Sequence, residues 1–150
     1  RIGYQKNPEL FNKIAESFPN LQFTWIGDGE LRDKLTSKNI TVTGWKTREE
    51  ALQIVNDNDI FILTSLWEGL PISLLEAMYL KKVCIVTDCI GNRDVIKDGE
   101  NGFLFDQKKY IDIIENINLN LYTRLSTRAN EIIINEFNME KMVNKYIENY

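Results

Sequence analysis

The chain has 150 residues, 43% hydrophobic and 27% charged, which suits one globular domain able to bury its own core. Its net charge of −4 argues against a nucleic-acid partner, because such domains carry a basic stripe. Without histidine, and with only two cysteines and no C-x-x-C spacing, the sequence excludes zinc sites and histidine-dependent catalysis.

Cys84 and Cys89 fall in and just after one predicted strand, a poor arrangement for a disulfide, so both read as reduced thiols of a reducing compartment. No apolar run reaches the length of a membrane span, and the opening RIGYQKNPEL lacks a signal-peptide pattern. The expected location is the cytoplasm.

Apolar runs of strand length alternate with segments of helical period. NPELFNKIAESF predicts a helix over 8–18, with Asn7 as N-cap, Pro8 at N1, and Leu10, Phe11, Ile14, Ala15 and Phe18 on one face. LQFTWI (21–26) predicts a strand ending at a Gly-Asp-Gly turn, followed by a short helix over 29–36 and a strand over 40–44. Thr47 and Glu50 form a capping-box pattern that opens a helix over 48–56. DIFILT (59–64) and KVCIVT (82–87) are the continuous apolar runs expected of parallel strands buried on both faces. NGFLF (101–105) reads as a last short strand, and from 107 onward the pattern is helical, with Asn138 capping a terminal helix over 139–149. The alternation predicts a Rossmann-like, doubly wound parallel sheet of the α/β class. The strand that the alternation places ahead of Arg1 is missing, which is expected if the chain was cut from something longer.

The stretch TSLWEGLPISLLEAMYL (64–80) is nearly all apolar apart from Glu68 and Glu76. Carboxylates in such surroundings require hydrogen-bond or ion-pair partners. Open α/β sheets bind ligands beyond the carboxyl ends of their strands, where this stretch lies. With Pro71 at N1 of the helix, the amides of Ile72 and Ser73 form an anion-binding mouth, and Glu76 leans back toward it. Two acceptors flanking a phosphate site match a nucleotide sugar: ribose, diphosphate, hexose.

EGLPISLLE resembles the E-x7-E motif of retaining glycosyltransferases of the GT-B fold, family 4 in particular. RIGYQKN is similar to that family's basic loop, FTWIGDGELRDKL to its Gly-Asp-Gly segment, and TVTGWKTREE and TSLWEGLPISLLEAMYLKKVCIVTDCIGNRDVIKDGENGFLF to the segments that follow. The resemblance covers about 140 residues in order. It implies the C-terminal, donor-binding half of a GT-B enzyme, whose N-terminal acceptor domain is absent from this chain, so that the isolated domain is expected to transfer nothing.

The resemblance further implies that Arg1 and Lys6 contact the donor diphosphate in place of a metal, so that neither metal nor cofactor is needed. Glu76 would accept from ribose hydroxyls and Glu68 from the transferred sugar. The main chain over Gly69, Leu70, Ile72 and Ser73 would hold sugar and phosphate, and Gly44, Trp45 and Lys46 would lie beside the base, with Trp45 a candidate stacking surface. Glu68, Arg1 and Lys6 are the candidate catalytic residues. The implied reaction is retaining hexosyl transfer from a nucleotide-diphosphate sugar to a glycan, lipid-linked or small-molecule acceptor, as in bacterial polysaccharide synthesis. Any association with the inner face of a membrane would come through the missing half. The departures are Pro71 where many members have glycine, Gly91-Asn92 for a Gly-Gly pair, and Asp94 for a glutamate. Two rival readings are a non-catalytic nucleotide-sugar-binding module and another GT-B enzyme, a phosphorylase or epimerase. A glycosidase pair needs carboxylates flanking a groove, and the Asp-Asn-Asp at 57–59 precedes its strand, at the edge away from any ligand. Trp25 and Trp67 are expected to be packing residues.

Overall fold

The structure, a computed structural model, describes residues 1–136. The expected cap at Asn138 and the helix over 139–149 lie outside them. Five strands, β1 (Phe23–Trp25), β2 (Ile40–Val42), β3 (Ile60–Leu63), β4 (Val83–Thr87) and β5 (Phe103–Phe105), alternate with helices α1 (Pro8–Ser17), α2 (Arg48–Asn56), α3 (Ile72–Tyr79), α4 (Asn92–Val95), α5 (Lys109–Glu115) and α6 (Leu119–Glu136).

All strand pairings are parallel: β1 with β2, and β3 with β4 with β5. The expected α/β class with parallel strands is therefore found, its strands hydrogen-bonding as a two-stranded and a three-stranded sheet. β4 shows how the layers form. Cys84 and Val86 face one core, with Leu74, Leu75 and Met78 of α3 and Ala129 and Ile133 of α6. Val83 and Ile85 face the other, with Phe11 and Ile14 of α1 and Tyr110 and Ile113 of α5. Side chains of a strand alternate faces, so only a strand covered on both sides can be apolar throughout, and VCIVT is.

Local chemistry explains the element ends. The Asn7 side chain accepts from the Leu10 amide at the start of α1, with Pro8 behind it. Thr47 and Glu50 complete the capping box of α2 in both directions. Asn39 closes the far end of α1, its amide reaching the carbonyls of Ala15, Phe18 and Leu21. Both cysteines are buried free thiols, and burial alone pushes the Cys84 thiol far up from its ordinary value.

Several expectations are corrected. In place of a helix over 29–36 there is one 3-10 turn, Arg32–Lys34. The Leu31 amide is held by the Ile2 carbonyl, and those of Thr36 and Ser37 by Asn12 Oδ1, so tertiary contacts leave no room for a second turn. β1 and β2 are each three residues long, shorter than predicted. Pro71 is the N-cap of α3, and Ile72 takes N1. No helix among the described residues is long and apolar enough to cross a membrane.

Between the two sheets lies a cavity of about 660 Å³. Residues 21–26 and 58–64, the stretches containing β1 and β3, line it, and Arg1, Lys6, Ser73 and Glu76 stand among its lining residues.

Candidate donor-binding site

The first seven residues, with a 3-10 turn over Tyr4–Lys6, run over the carboxyl ends of both sheets. The Ile2 amide donates to the Asp28 carbonyl beyond β1 (2.8 Å), and the Thr64 hydroxyl beyond β3 donates to the Lys6 carbonyl (2.7 Å). The Leu66 amide donates to the Gln5 carbonyl and the Gln5 side-chain Nε2 to the Trp67 carbonyl, each at 2.8 Å. This lacing brings Lys6 to Glu68. Gly29 permits it, because a Cβ there would stand 2.4 Å from the Ile2 carbonyl oxygen.

Glu68 is nearly buried, with its side chain 7% exposed. Lys6 Nζ and the Ser65 hydroxyl both donate to its Oε1, each at 2.5 Å. Its amide donates to the Ile90 carbonyl at 2.9 Å, so the strand-end loop after β4 holds the Glu68 backbone. Gly91, with φ of +89°, packs so closely that a Cβ would meet the Glu68 carbonyl oxygen at 2.4 Å. Asn92 beside it is fully buried and donates to the Thr87 carbonyl. Its Oδ1 has no partner among the described residues.

Glu76 sits one turn into α3, and Arg48 at the start of α2 donates to its Oε1 from Nε (2.9 Å), with Nη2 in ion-pair contact with the same oxygen at 2.8 Å. The two carboxylates therefore share a pattern. Each has Oε1 anchored by a cation, and each has an Oε2 without a partner among the described residues. Neither Oε2 is among the fully buried atoms without a partner, so each keeps some solvent contact.

Nearby backbone donors are also available. Among the described residues, the amides of Gly69, Leu70 and Ser73 make no hydrogen bond to protein, whereas the Ile72 amide donates to the Leu70 carbonyl. Of the expected amides, then, Ile72 alone is already engaged. Arg1 is exposed and pairs through Nε with Glu30 at 3.1 Å; a local backbone hydrogen bond first, and then this contact, hold the Glu30 carboxyl below its ordinary value. Gly44, at φ of +72°, turns the chain after β2 and leaves Trp45 69% exposed, with Lys46 exposed beside it.

The family model for glycosyl transferases group 1 matches residues 1–139. The chain belongs to that family.

A UDP-Gal:alpha-D-GlcNAc-diphosphoundecaprenol alpha-1,3-galactosyltransferase of Escherichia coli is 31% identical over 172 residues, covering all of this chain and 43% of that protein. A lipopolysaccharide 1,6-galactosyltransferase of Salmonella typhimurium is 31% identical over 77% of this chain and 35% of its own length. The chain thus spans less than half the length of these relatives. Among solved structures, HepE from Anabaena in complex with UDP-glucose superposes with a TM-score of 0.84 at 19% identity, covering 99% of this chain and 46% of HepE. The fold is that of the GT-B glycosyltransferases.

Within this group 1 domain, the sequence singles out both glutamates and the basic loop but does not show what holds them. Ser65 and Gly91 support Glu68, and Arg48 grips Glu76. Trp25 packs edge-on against Phe11 at 5.0 Å as expected, whereas Trp67 is half exposed and tilts over Tyr4 at 6.1 Å.

Proposed function

We propose that this domain is the donor-binding half of a retaining, family 4 type glycosyltransferase that moves a hexose from a nucleotide-diphosphate sugar to an acceptor. The observation that carries the reading is the matched pair of carboxylates. Glu68 and Glu76 each keep one oxygen on a cation and one free, on the loop and helix that also carry the unpaired Gly69, Leu70 and Ser73 amides. A free carboxylate oxygen accepts from sugar hydroxyls, and free amides with an ammonium accept a diphosphate's charge.

In this assignment Glu76 Oε2 takes the ribose hydroxyls and Glu68 Oε2 those of the transferred hexose. An ammonium has three N–H donors. Lys6 gives one to Glu68, leaving two for the diphosphate, and Arg1 keeps its Nη donors beside it. The Gly69, Leu70 and Ser73 amides complete the cradle, and Trp45 with Gly44 and Lys46 flanks the base. No metal is required, because protein cations carry the leaving-group charge. In the transfer step the bond from the anomeric carbon to the diphosphate oxygen breaks. The acceptor oxygen bonds to that carbon from the same face, and its proton passes to the departing phosphate oxygen.

The acceptor half belongs to the same reading. The domain works in the cytoplasm, where nucleotide sugars are available, with membrane contact made through the acceptor half. Incubating the complete protein with radiolabelled UDP-, GDP- and ADP-hexoses and an acceptor pool tests the activity, and nuclear magnetic resonance of the product tests retention. Transfer with the donor's anomeric configuration kept is expected; inversion or absence of transfer with every donor would overturn the reading.

A further inference from the structure

Glu76 is not alone at the pocket rim. Arg48, the first residue of α2, directs both Nε and Nη2 at the same oxygen, Oε1, at 2.9 and 2.8 Å. Arg48 is 63% exposed and the Glu76 side chain 25%. An ion pair as open as this contributes little to folding. Its geometric effect is larger: two nitrogens of one planar guanidinium sit against Oε1, which holds that oxygen and leaves Oε2 as the one without a partner among the described residues. The capping box holds Arg48 itself in place. Thr47 is extended and hydrogen-bonded to the Glu50 amide, which sets where the first residue of α2 projects.

We propose that Arg48 is a positioning residue for donor recognition, holding Glu76 so that Oε2 meets the ribose hydroxyls of the bound nucleotide. The proposal rests on the assignment of Glu76 to the ribose. Arg48 touches no substrate in this scheme. Its contribution is pre-organisation of one flexible side chain, on the order of three- to tenfold in affinity. A lysine would supply the charge but not the planar two-nitrogen contact, and so would restore only part of it.

The test is calorimetric titration of the complete protein with UDP, GDP and ADP, each beside its 2′,3′-dideoxy counterpart. The variants are Arg48→Met, Arg48→Lys, Glu76→Ala and Arg48→Met/Glu76→Ala, with thermal melts confirming that each is folded. Arg48→Met is expected to weaken the preferred ribonucleotide roughly three- to tenfold. It should leave the dideoxy nucleotide within about twofold and add nothing in the Glu76→Ala background, as for an effect exerted only through Glu76. Arg48→Lys should fall between parent and Arg48→Met. Equal losses for the ribo and dideoxy forms would overturn the proposal, since they would mean that Arg48 binds phosphate or base directly. Arg48→Met without effect, while Glu76→Ala weakens the ribonucleotide, would overturn this proposal alone. Glu76→Ala without effect would overturn the ribose assignment and this proposal together.

Discussion

Gly91→Ala offers a test of how Glu68 is held. The new Cβ would stand 2.4 Å from the Glu68 carbonyl oxygen and 2.8 Å from its Cβ, where ordinary contact begins at 3.4 Å. One backbone must retreat by about 1 Å. Gly91 also sits at φ of +89°, so an alanine there adds strain of ~1–3 kcal/mol. Displacing a sugar-binding group by ~1 Å costs on the order of 10²-fold in rate. We therefore expect Gly91→Ala to lower transfer by the complete protein by about 10²-fold, as measured with radiolabelled donor. Free nucleotide affinity should fall less than transfer does, because Glu76 is held by Arg48 and not by Gly91. Gly99→Ala is the control. Its φ is +78° and its Cβ would meet nothing within 4 Å, so it imposes strain without displacement and should keep near-parental activity. A folded Gly91→Ala protein transferring within about threefold of parent, or a Gly99→Ala protein losing as much, would refute the reasoning.

Two further expectations concern charge. Lys6→Met leaves the Glu68 carboxylate, 7% exposed, with only the Ser65 hydroxyl. The domain should lose about 1–3 kcal/mol in urea unfolding, below the figure for a fully buried pair because Lys6 is 29% exposed. Lys6→Met/Glu68→Gln should recover most of that loss, and a double variant no more stable than the single would contradict it. The Glu50 carboxyl is held below its ordinary value first by the Thr47 amide and then by the Thr47 side chain. A lowered folded-state value contributes stability above the ordinary carboxyl range that is lost as pH falls through the lowered value. The melting temperatures of parent and Glu50→Ala should therefore differ fully at neutral pH and converge in acid, as followed by circular dichroism; a gap constant with pH would contradict the assignment.

What could be read from the chain was local or periodic. The Asn7 and Thr47 caps were legible because their partners lie within three residues. β4 was legible because burial on both faces leaves an unbroken apolar run. What could not be read depends on contacts distant in sequence. Asn12 and Asn39 look like ordinary polar residues, and become structural only when Asn12 binds the Thr36 and Ser37 amides and Asn39 caps α1. The predicted helix over 29–36 carries apolar residues only at Leu31 and Leu35, too few to stabilise two turns against the pull of Ile2 and Asn12. Both glutamates stood out as charges in an apolar stretch, but their partners, Lys6 at a separation of 62 residues and Arg48 at 28, leave no mark in local sequence.

The assignment of the two carboxylates is tested most directly by calorimetry on the complete protein, comparing Glu68→Ala with Glu76→Ala against the preferred nucleotide and its sugar conjugate. Glu76→Ala should weaken both ligands by roughly 1–3 kcal/mol, the range for lost hydrogen bonds to a charged acceptor, and Glu68→Ala should weaken only the sugar nucleotide. Equal losses of free-nucleotide affinity in the two variants would contradict the separate roles given to Glu68 and Glu76.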